Sequence, residues 1–162
     1  MKKYKGLLIG ANLILVLLYI NFSVLSKEKL LTNGKIVFFE LAPVDPRSLM
    51  QGDYMLLQYK MLEDIQTEGI PNRGYCIISI DDKNIAHFIK IQSEAKLLKD
   101  NQILLAYRAT KNQGVRIGAE SFFFQEGEGI KYEKAKYGGL RLDEDGTSIL
   151  EGLYDEHLHK IE

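Results

Sequence analysis

Residues 45–59 are predicted to form a tight turn that leads into a strand: Asp45-Pro46-Arg47-Ser48-Leu49-Met50-Gln51-Gly52-Asp53-Tyr54-Met55-Leu56-Leu57-Gln58-Tyr59. Pro46 fixes its own φ and moves Asp45 out of the helical region, and Gly52 allows the bend before the strand. From Tyr54 onward the side chains alternate with the period of a half-buried strand. One face is predicted to carry Met55, Leu57, Tyr59 and Met61, and the other Tyr54, Leu56, Gln58 and Lys60.

The spacing inside this stretch resembles a known family. Gly52-Asp53-Tyr54 is followed by Leu57 and Tyr59 and preceded by Asp45-Pro46-Arg47, as in the motif of the GDYXXLXY proteins. A second block, Tyr132 to Gly146 followed by Ile149 to Leu153, is similar to the other recurrent segment of that family. The resemblance implies a small membrane-anchored bacterial protein of a kind often encoded with or fused to a multi-pass membrane protein, which suggests such a protein as its partner. It implies no catalytic residue and no cofactor, because the family has no established activity.

The first 25 residues read as a membrane anchor. Lys2, Lys3 and Lys5 precede an uncharged run from Gly6 to Leu25, which is long enough to cross about 30 Å of hydrocarbon as a helix. A cleaved signal peptide is the alternative, but its apolar core is usually only about 7–15 residues, and no A-x-A-like site precedes Ser26. The positive-inside bias predicts a cytoplasmic N-terminus and a domain on the outer side of the bacterial cytoplasmic membrane.

The predicted organisation has four parts. Residues 1–5 are cytoplasmic, 6–25 cross the bilayer, 26–35 form a linker and 36–162 form an extracytoplasmic β-rich domain. Within the anchor, Gly6 and Gly10 form a small-xxx-small step that favours pairing with another helix. The alternative is that glycine is simply common in membrane helices, so pairing is one of two interpretations.

Short apolar runs separated by turn signals fill the remaining chain. Strands are predicted at 36–42, 54–62, 75–80, 85–91, 102–108, 115–124, 140–142 and 147–154. Three hairpin turns are predicted at 81–84, 112–114 and 143–146, and one short helix at 130–136. This pattern predicts an all-β fold, a sandwich or partly closed barrel of mostly antiparallel hairpins, preceded by a single transmembrane helix.

Composition excludes several classes of function. The chain has 162 residues, 46% hydrophobic and 27% charged, with a formal net charge of −1. That size suits one domain and an anchor. Balanced charge without a basic stripe gives no electrostatic basis for nucleic-acid binding. Cys76 is the sole cysteine, so it cannot form an internal disulfide, and its apolar neighbours predict a buried thiol.

An enzyme is the alternative function. An anchor, a short loop, Gly-Asp and an apolar strand also resemble the layout of the signal-peptidase-like fold, but Val44 occupies the place of its nucleophilic serine. The nearby serine is Ser48, four residues before Gly52, and Lys90 would have to serve as its base. The alternative is therefore a Ser–Lys hydrolase or a catalytically dead relative. A lysine base requires a pKa that burial has lowered. The favoured interpretation makes Ser48 a turn residue and Lys90 a surface charge.

No metal site is predicted. His157 and His159 share one face of an extended segment near the C-terminus, but they do not make a ligand set. The acidic run Asp143-Glu144-Asp145-Gly146 lacks the later positions of a calcium loop and suits a hairpin turn.

The motif itself has two interpretations. In the structural one, Asp53 caps the turn, Arg47 pairs with Asp45 or Asp53, and Leu57 and Tyr59 pack inward. In the functional one, Arg47, Asp53 and Tyr54 form a docking surface in which arginine and tyrosine are the anchors. Gly52, Leu57 and Tyr59 are expected to be structural, whereas Arg47 and Tyr54 suit both roles.

Overall fold

A long helix precedes a β-rich domain in the computed structural model, which describes residues 4–42, 54–95, 101–110, 114–125 and 127–162. The elements in these ranges are α1 (Lys5–Asn33), β1 (Lys35–Glu40), β2 (Tyr54–Leu56), α2 (Lys60–Glu63), β3 (Arg73–Ile80), β4 (Ala86–Gln92), β5 (Gln102–Thr110), β6 (Gly114–Arg116), β7 (Ser121–Phe123), α3 (Gly129–Tyr132), β8 (Tyr137–Leu142) and β9 (Ser148–Tyr154). The predicted all-β class with one long apolar N-terminal helix is confirmed.

Helix α1 has the length and composition of a membrane-spanning helix. It contains a candidate membrane span, Leu8–Asn33, whose apolar 18-residue window has no buried residue. The segment predicted as a linker, 26–35, is helical up to Asn33. The helix ends where Gly34 becomes extended, with the Gly34 amide donating to the Leu30 carbonyl at 2.8 Å.

The strands form three sheets in the described ranges. The orders are β1-β8-β9, β2-β7 and β4-β3-β5-β6, with antiparallel pairing throughout each sheet. The Phe38 amide donates to the Asn84 carbonyl beside β4, and the Ala106 amide of β5 donates to the Gly146 carbonyl in the β8–β9 turn, both at 2.8 Å. The three-stranded and four-stranded sheets are therefore joined at two places and curl toward a partly closed barrel.

Two of the three predicted hairpins are confirmed as β3–β4 and β8–β9. The third is confirmed only in its first part, because β6 pairs with β5 and then ends at Arg116. Gly118 has φ 83°, a conformation that breaks a strand. The chain then turns, and Ser121–Phe123 pairs with β2 in a separate sheet.

The predicted strand at 54–62 is shorter than expected. Regular pairing ends at Leu56, and Lys60–Glu63 forms a short helix. Residues 57–59 stay extended because the Leu57 amide donates to the Glu120 carbonyl and the Ala42 amide donates to the Gln58 carbonyl. The predicted helix at 130–136 is also shorter and covers Gly129–Tyr132.

One hydrophobic core joins the sheets. Its innermost side chains come from both larger sheets and include Val37, Phe39, Cys76, Ile78, Leu105, Leu140 and Leu153. The thiol of Cys76 is buried as predicted, and burial raises its pKa to about 12. It is therefore a packing group at neutral pH.

The end of α1 is attached to this core domain. Leu30 is buried, and Arg141 of β8 donates from Nη1 to the Gly34 carbonyl at 2.9 Å. The Nε of Arg141 also donates to Glu151 of β9 at 2.6 Å, and Lys160 Nζ lies 3.7 Å from the same carboxylate. A side chain at Gly34 would overlap the Leu30 carbonyl. The helix therefore enters the domain through a packed and hydrogen-bonded joint.

Candidate functional site

The motif strand presents two different faces, as its alternation predicted. Leu57 and Tyr59 are 2% and 3% exposed, whereas Tyr54 and Leu56 are 37% and 44% exposed. The inner pair belongs to the hydrophobic core cluster. Leu57 and Tyr59 therefore hold the strand in the fold, and the outer residues face solvent.

Tyr59 fixes the inner face by a buried hydrogen bond. Its hydroxyl donates to the Ala119 carbonyl at 2.5 Å, and its ring meets that of Phe39 edge-to-face with the centroids 5.8 Å apart. Burial raises the pKa of Tyr59 far above its ordinary value, and the nearby Glu120 carboxylate raises it further. Tyr59 is consequently a permanently protonated donor and not a catalytic base.

The two blocks that resemble the family meet at this tyrosine. A Cβ on Gly138 of β8 would lie 3.2 Å from Cε1 of the Tyr59 ring, and a Cβ on Gly139 would overlap the ring of Tyr154. Two adjacent glycines in one strand thus make room for two tyrosine rings. Glycine inside a strand pattern indicates such a close approach, although the contacts of these glycines with the tyrosine rings were not predicted from the sequence.

The outer face of β2 and β7 forms an exposed apolar surface. Tyr54 lies directly opposite Phe123 in the β2–β7 register, with ring centroids 5.7 Å apart. Phe123 is 74% exposed. We call Tyr54, Leu56 and Phe123 the apolar ribbon face. Its exposure is what the docking interpretation of Tyr54 requires, and Phe123 was not singled out from the sequence.

Glu120 organises the loop beside the motif strand. Its Oε1 accepts hydrogen bonds from the Ile117 and Gly118 amides at 2.5 and 3.1 Å, and its Oε2 lies 3.8 Å from Arg116 Nε. Two clefts share Glu120 and Arg116 as lining residues. One cleft, of about 350 Å³, contains Tyr59 and Glu63, and the other, of about 780 Å³, lies over β3, β5 and β6.

The turn that precedes the strand lies outside the described residues. This applies to six predicted residues: Asp45, Pro46, Arg47, Ser48, Gly52 and Asp53. Capping by Asp53 and the ion pair of Arg47 stay predictions. Lys90 is exposed on β4, opposite Ile77, as the surface interpretation predicted. A Ser–Lys base is a buried lysine, so the position of Lys90 counts against that role.

The C-terminal histidines and the acidic turn have local structural partners. Asp155 Oδ1 accepts hydrogen bonds from the backbone amides of His157 and His159, which hold the pKa of that carboxyl below its usual value. Asp143 Oδ1 likewise accepts from the amides of Asp145 and Thr147, as expected of a hairpin turn. In the described part of the chain no three His, Cys, Asp or Glu side chains converge on a metal-sized site.

A family model described as GDYXXLXY protein matches residues 16–153. The chain belongs to the GDYXXLXY family. The matched range starts within α1 and runs into β9, so both blocks, and the contact between Tyr59 and Gly138, lie within the region that the GDYXXLXY family shares. Neither a curated protein nor a solved structure matches the chain.

Proposed function

We propose that this GDYXXLXY protein is a single-pass membrane protein whose β domain is an extracytoplasmic binding module, working with an integral membrane partner. Residues 1–5 are cytoplasmic, 6–25 lie in the bilayer, and the domain of residues 36–162 is outside. The observation that carries the proposal is the joint between α1 and the sheet. An exposed apolar helix continues without interruption to a domain that is hydrogen-bonded to its C-terminal end.

The joint restricts where the domain sits. Residues 26–33 continue the helix for about 12 Å beyond the apolar run, at 1.5 Å per residue. Because Leu30 is buried and Gly34 accepts from Arg141, the last turn of this segment is part of the domain surface. A flexible linker would let the domain sample many orientations. A packed joint instead holds the domain close to the membrane in a preferred orientation, which suits a module that meets a membrane-embedded partner.

Two surfaces support a multi-pass partner. Beside the membrane helix, no described residue lies within 4 Å of the position that a Cβ would take on Gly6 or Gly10, so a neighbouring helix can approach closely there. On the domain, the apolar ribbon face exposes aromatic rings, the side-chain type most enriched at binding hot spots. The partner therefore contacts the module both in lipid and above it.

The first test of the proposal is topology. A reporter fused after Glu162 should be active only if it is a type that works outside the cytoplasm, and the full-length protein should remain in membranes after a carbonate wash. Release into the soluble fraction with a new N-terminus near Ser26 would contradict the anchor.

The second test concerns the partner. Tyr54→Ser should reduce co-purification of a multi-pass protein with the detergent-solubilised chain, because it removes an exposed ring from the apolar ribbon face. Ile89→Ser is the matched control, since Ile89 is similarly exposed, at 42%, but lies on β4. Both variants should reach wild-type abundance. If both variants lose the same amount of co-purifying protein, or if neither loses any, the apolar ribbon face is excluded as the docking surface.

A further inference from the structure

Three arginines stand side by side across the four-stranded sheet. Arg73 of β3 is directly opposite Arg108 of β5, and Arg108 is directly opposite Arg116 of β6. Residues directly opposite in antiparallel strands point to the same face, with Cβ atoms about 4.5–5.5 Å apart. Arg73, Arg108 and Arg116, the arginine row, therefore span about 10 Å on one face of the sheet.

The arginine row opposes folding unless something offsets its charge. Like charges directly opposite in a sheet are destabilising. Arg116 forms an ion pair with Glu120, with 3.8 Å between Arg116 Nε and Glu120 Oε2, which partly offsets its charge. Within the described ranges, no carboxylate pairs with Arg73 or Arg108, and both are exposed. Arg73 and Arg108 are thus two adjacent positive charges that the described part of the domain does not neutralise.

The arginine row lines the larger cleft. This cleft has a volume of about 780 Å³ and is lined by all three arginines, within the 300–1,000 Å³ typical of sites for small molecules. Hydroxyl groups surround the arginines, contributed by Tyr75, Ser93, Thr110, Thr147 and Ser148. The lining also includes the Glu120 carboxylate and part of Tyr107, whereas Ala109, next to Arg108 on β5, belongs to the hydrophobic core. The cleft therefore lies on the outer face of the sheet and is open to solvent.

We propose that the arginine row binds the phosphoryl groups of a small hydroxyl-bearing ligand. A carboxylate offers two oxygens and satisfies one guanidinium fork, whereas phosphoryl groups offer more oxygens and more charge to several forks at once. The lining hydroxyls suit the alcohol groups of such a ligand. This site is distinct from the membrane anchor and the apolar ribbon face, so it holds or fails independently of the function proposed above.

The test uses the full-length protein in detergent and inorganic pyrophosphate as the probe. Calorimetry should show saturable binding of pyrophosphate, and citrate should bind at least about tenfold more weakly. Arg108→Gln should weaken pyrophosphate binding by more than about tenfold, because it removes charge-assisted hydrogen bonds at the centre of the row. Arg108→Lys should have an affinity for pyrophosphate between those of the wild type and Arg108→Gln, since lysine keeps the charge but lacks the bidentate guanidinium group. Lys134→Gln, an exposed cation outside the cleft, is the control and should bind as the wild type does.

The stability of the unliganded variants separates binding from folding. Arg108→Gln relieves repulsion from both neighbours, so its Tm without ligand should equal or exceed that of the wild type. A lower Tm would show that Arg108 stabilises the fold and would overturn the reasoning for the site. Absence of pyrophosphate binding, equal binding of citrate, or unchanged affinity in Arg108→Gln would each overturn the proposal.

The source of the phosphoryl group can be determined in bilayer discs. Pyrophosphate affinity is measured in discs of neutral lipid, with phosphatidic acid added, and with phosphatidylserine added as the charge control. Weaker pyrophosphate binding with phosphatidic acid than with phosphatidylserine would support the proposal with a lipid headgroup as the ligand. Equal affinities in those two discs would support it with a soluble phosphate ester as the ligand.

Discussion

At the scale of single residues, Tyr59 connects three parts of the fold. Its ring lies against Phe39 of β1 and would be in tight contact, at 3.2 Å, with a Cβ on Gly138 of β8, while its hydroxyl donates to the Ala119 carbonyl in the loop before β7. A phenylalanine would fill the same space but leave the Ala119 carbonyl without this donor. An unsatisfied buried acceptor costs about 1–3 kcal/mol. The hydroxyl of Tyr59 therefore stabilises the fold in addition to its buried ring.

Tyr59 predicts a loss of stability at alkaline pH. The folded state keeps the proton because the pKa of Tyr59 is raised, whereas the unfolded chain releases it near the ordinary value of 10.0. Above that pH the unfolded state binds fewer protons than the folded state. The contribution of Tyr59 to the free energy of unfolding therefore falls as pH rises. Tyr59→Phe should have a lower Tm at neutral pH but a shallower decline above pH 10. Tyr54→Phe, on the exposed face, should decline as the wild type does; identical slopes for all three proteins would contradict this role.

The adjacent leucines of the motif strand offer a matched pair of substitutions. Leu57→Ala removes buried methyl groups and leaves a cavity, which should cost about 2–5 kcal/mol of the roughly 5–15 kcal/mol typical of a domain. Leu56→Ala, one residue earlier and 44% exposed, should change the free energy of unfolding by less than about 0.5 kcal/mol. Denaturant unfolding of both variants measures the difference. Similar losses would mean that the strand does not have an inner and an outer face.

At the scale of elements, local signals predicted the hairpins and non-local pairing did not follow from them. The β3–β4 and β8–β9 hairpins were predictable because their turn residues lie between the strands that they join. The β2–β7 pair joins Tyr54 to Phe123 across most of the domain, and no turn signal encodes it. The strand predicted through Phe124 divides because Gly118 takes a left-handed conformation and Glu120 folds back onto its own loop.

The same difference between local signals and non-local strand pairing explains which site residues could be predicted from the sequence. Alternation alone predicted which side of the motif strand is buried, so the inner Leu57 and Tyr59 and the outer Tyr54 were placed in advance. The arginine row was missed because its members lie on three strands and only the register brings them together. A partial signal existed, since the hairpin predicted around residues 112–114 places Arg108 and Arg116 near one another. Arg73 could be added only once the β3–β5 pairing was known.

At the scale of the whole molecule, α1 has two environments. Its N-terminal part is exposed along the apolar stretch, and its last turns belong to the domain through Leu30 and the Arg141 bond to Gly34. Helix α1 and the β domain therefore share the segment between residues 26 and 34. The packed joint therefore couples the position of the domain to that of the helix.

This shared segment predicts where the domain can be separated from the rest of helix α1. A truncated chain beginning at Lys27 keeps Leu30 and Gly34, and should unfold at a higher temperature than one beginning at Lys35. Burying a leucine contributes about 1.5–3 kcal/mol, so the difference in Tm should be several degrees, and far-UV circular dichroism of both should show β structure with little helix. Leu30→Ala in the longer chain should remove most of the advantage, whereas Leu31→Ala, which is 38% exposed, should keep it. If both truncated chains melt together, the last turns of α1 are not part of the domain and the fixed orientation at the membrane must be given up.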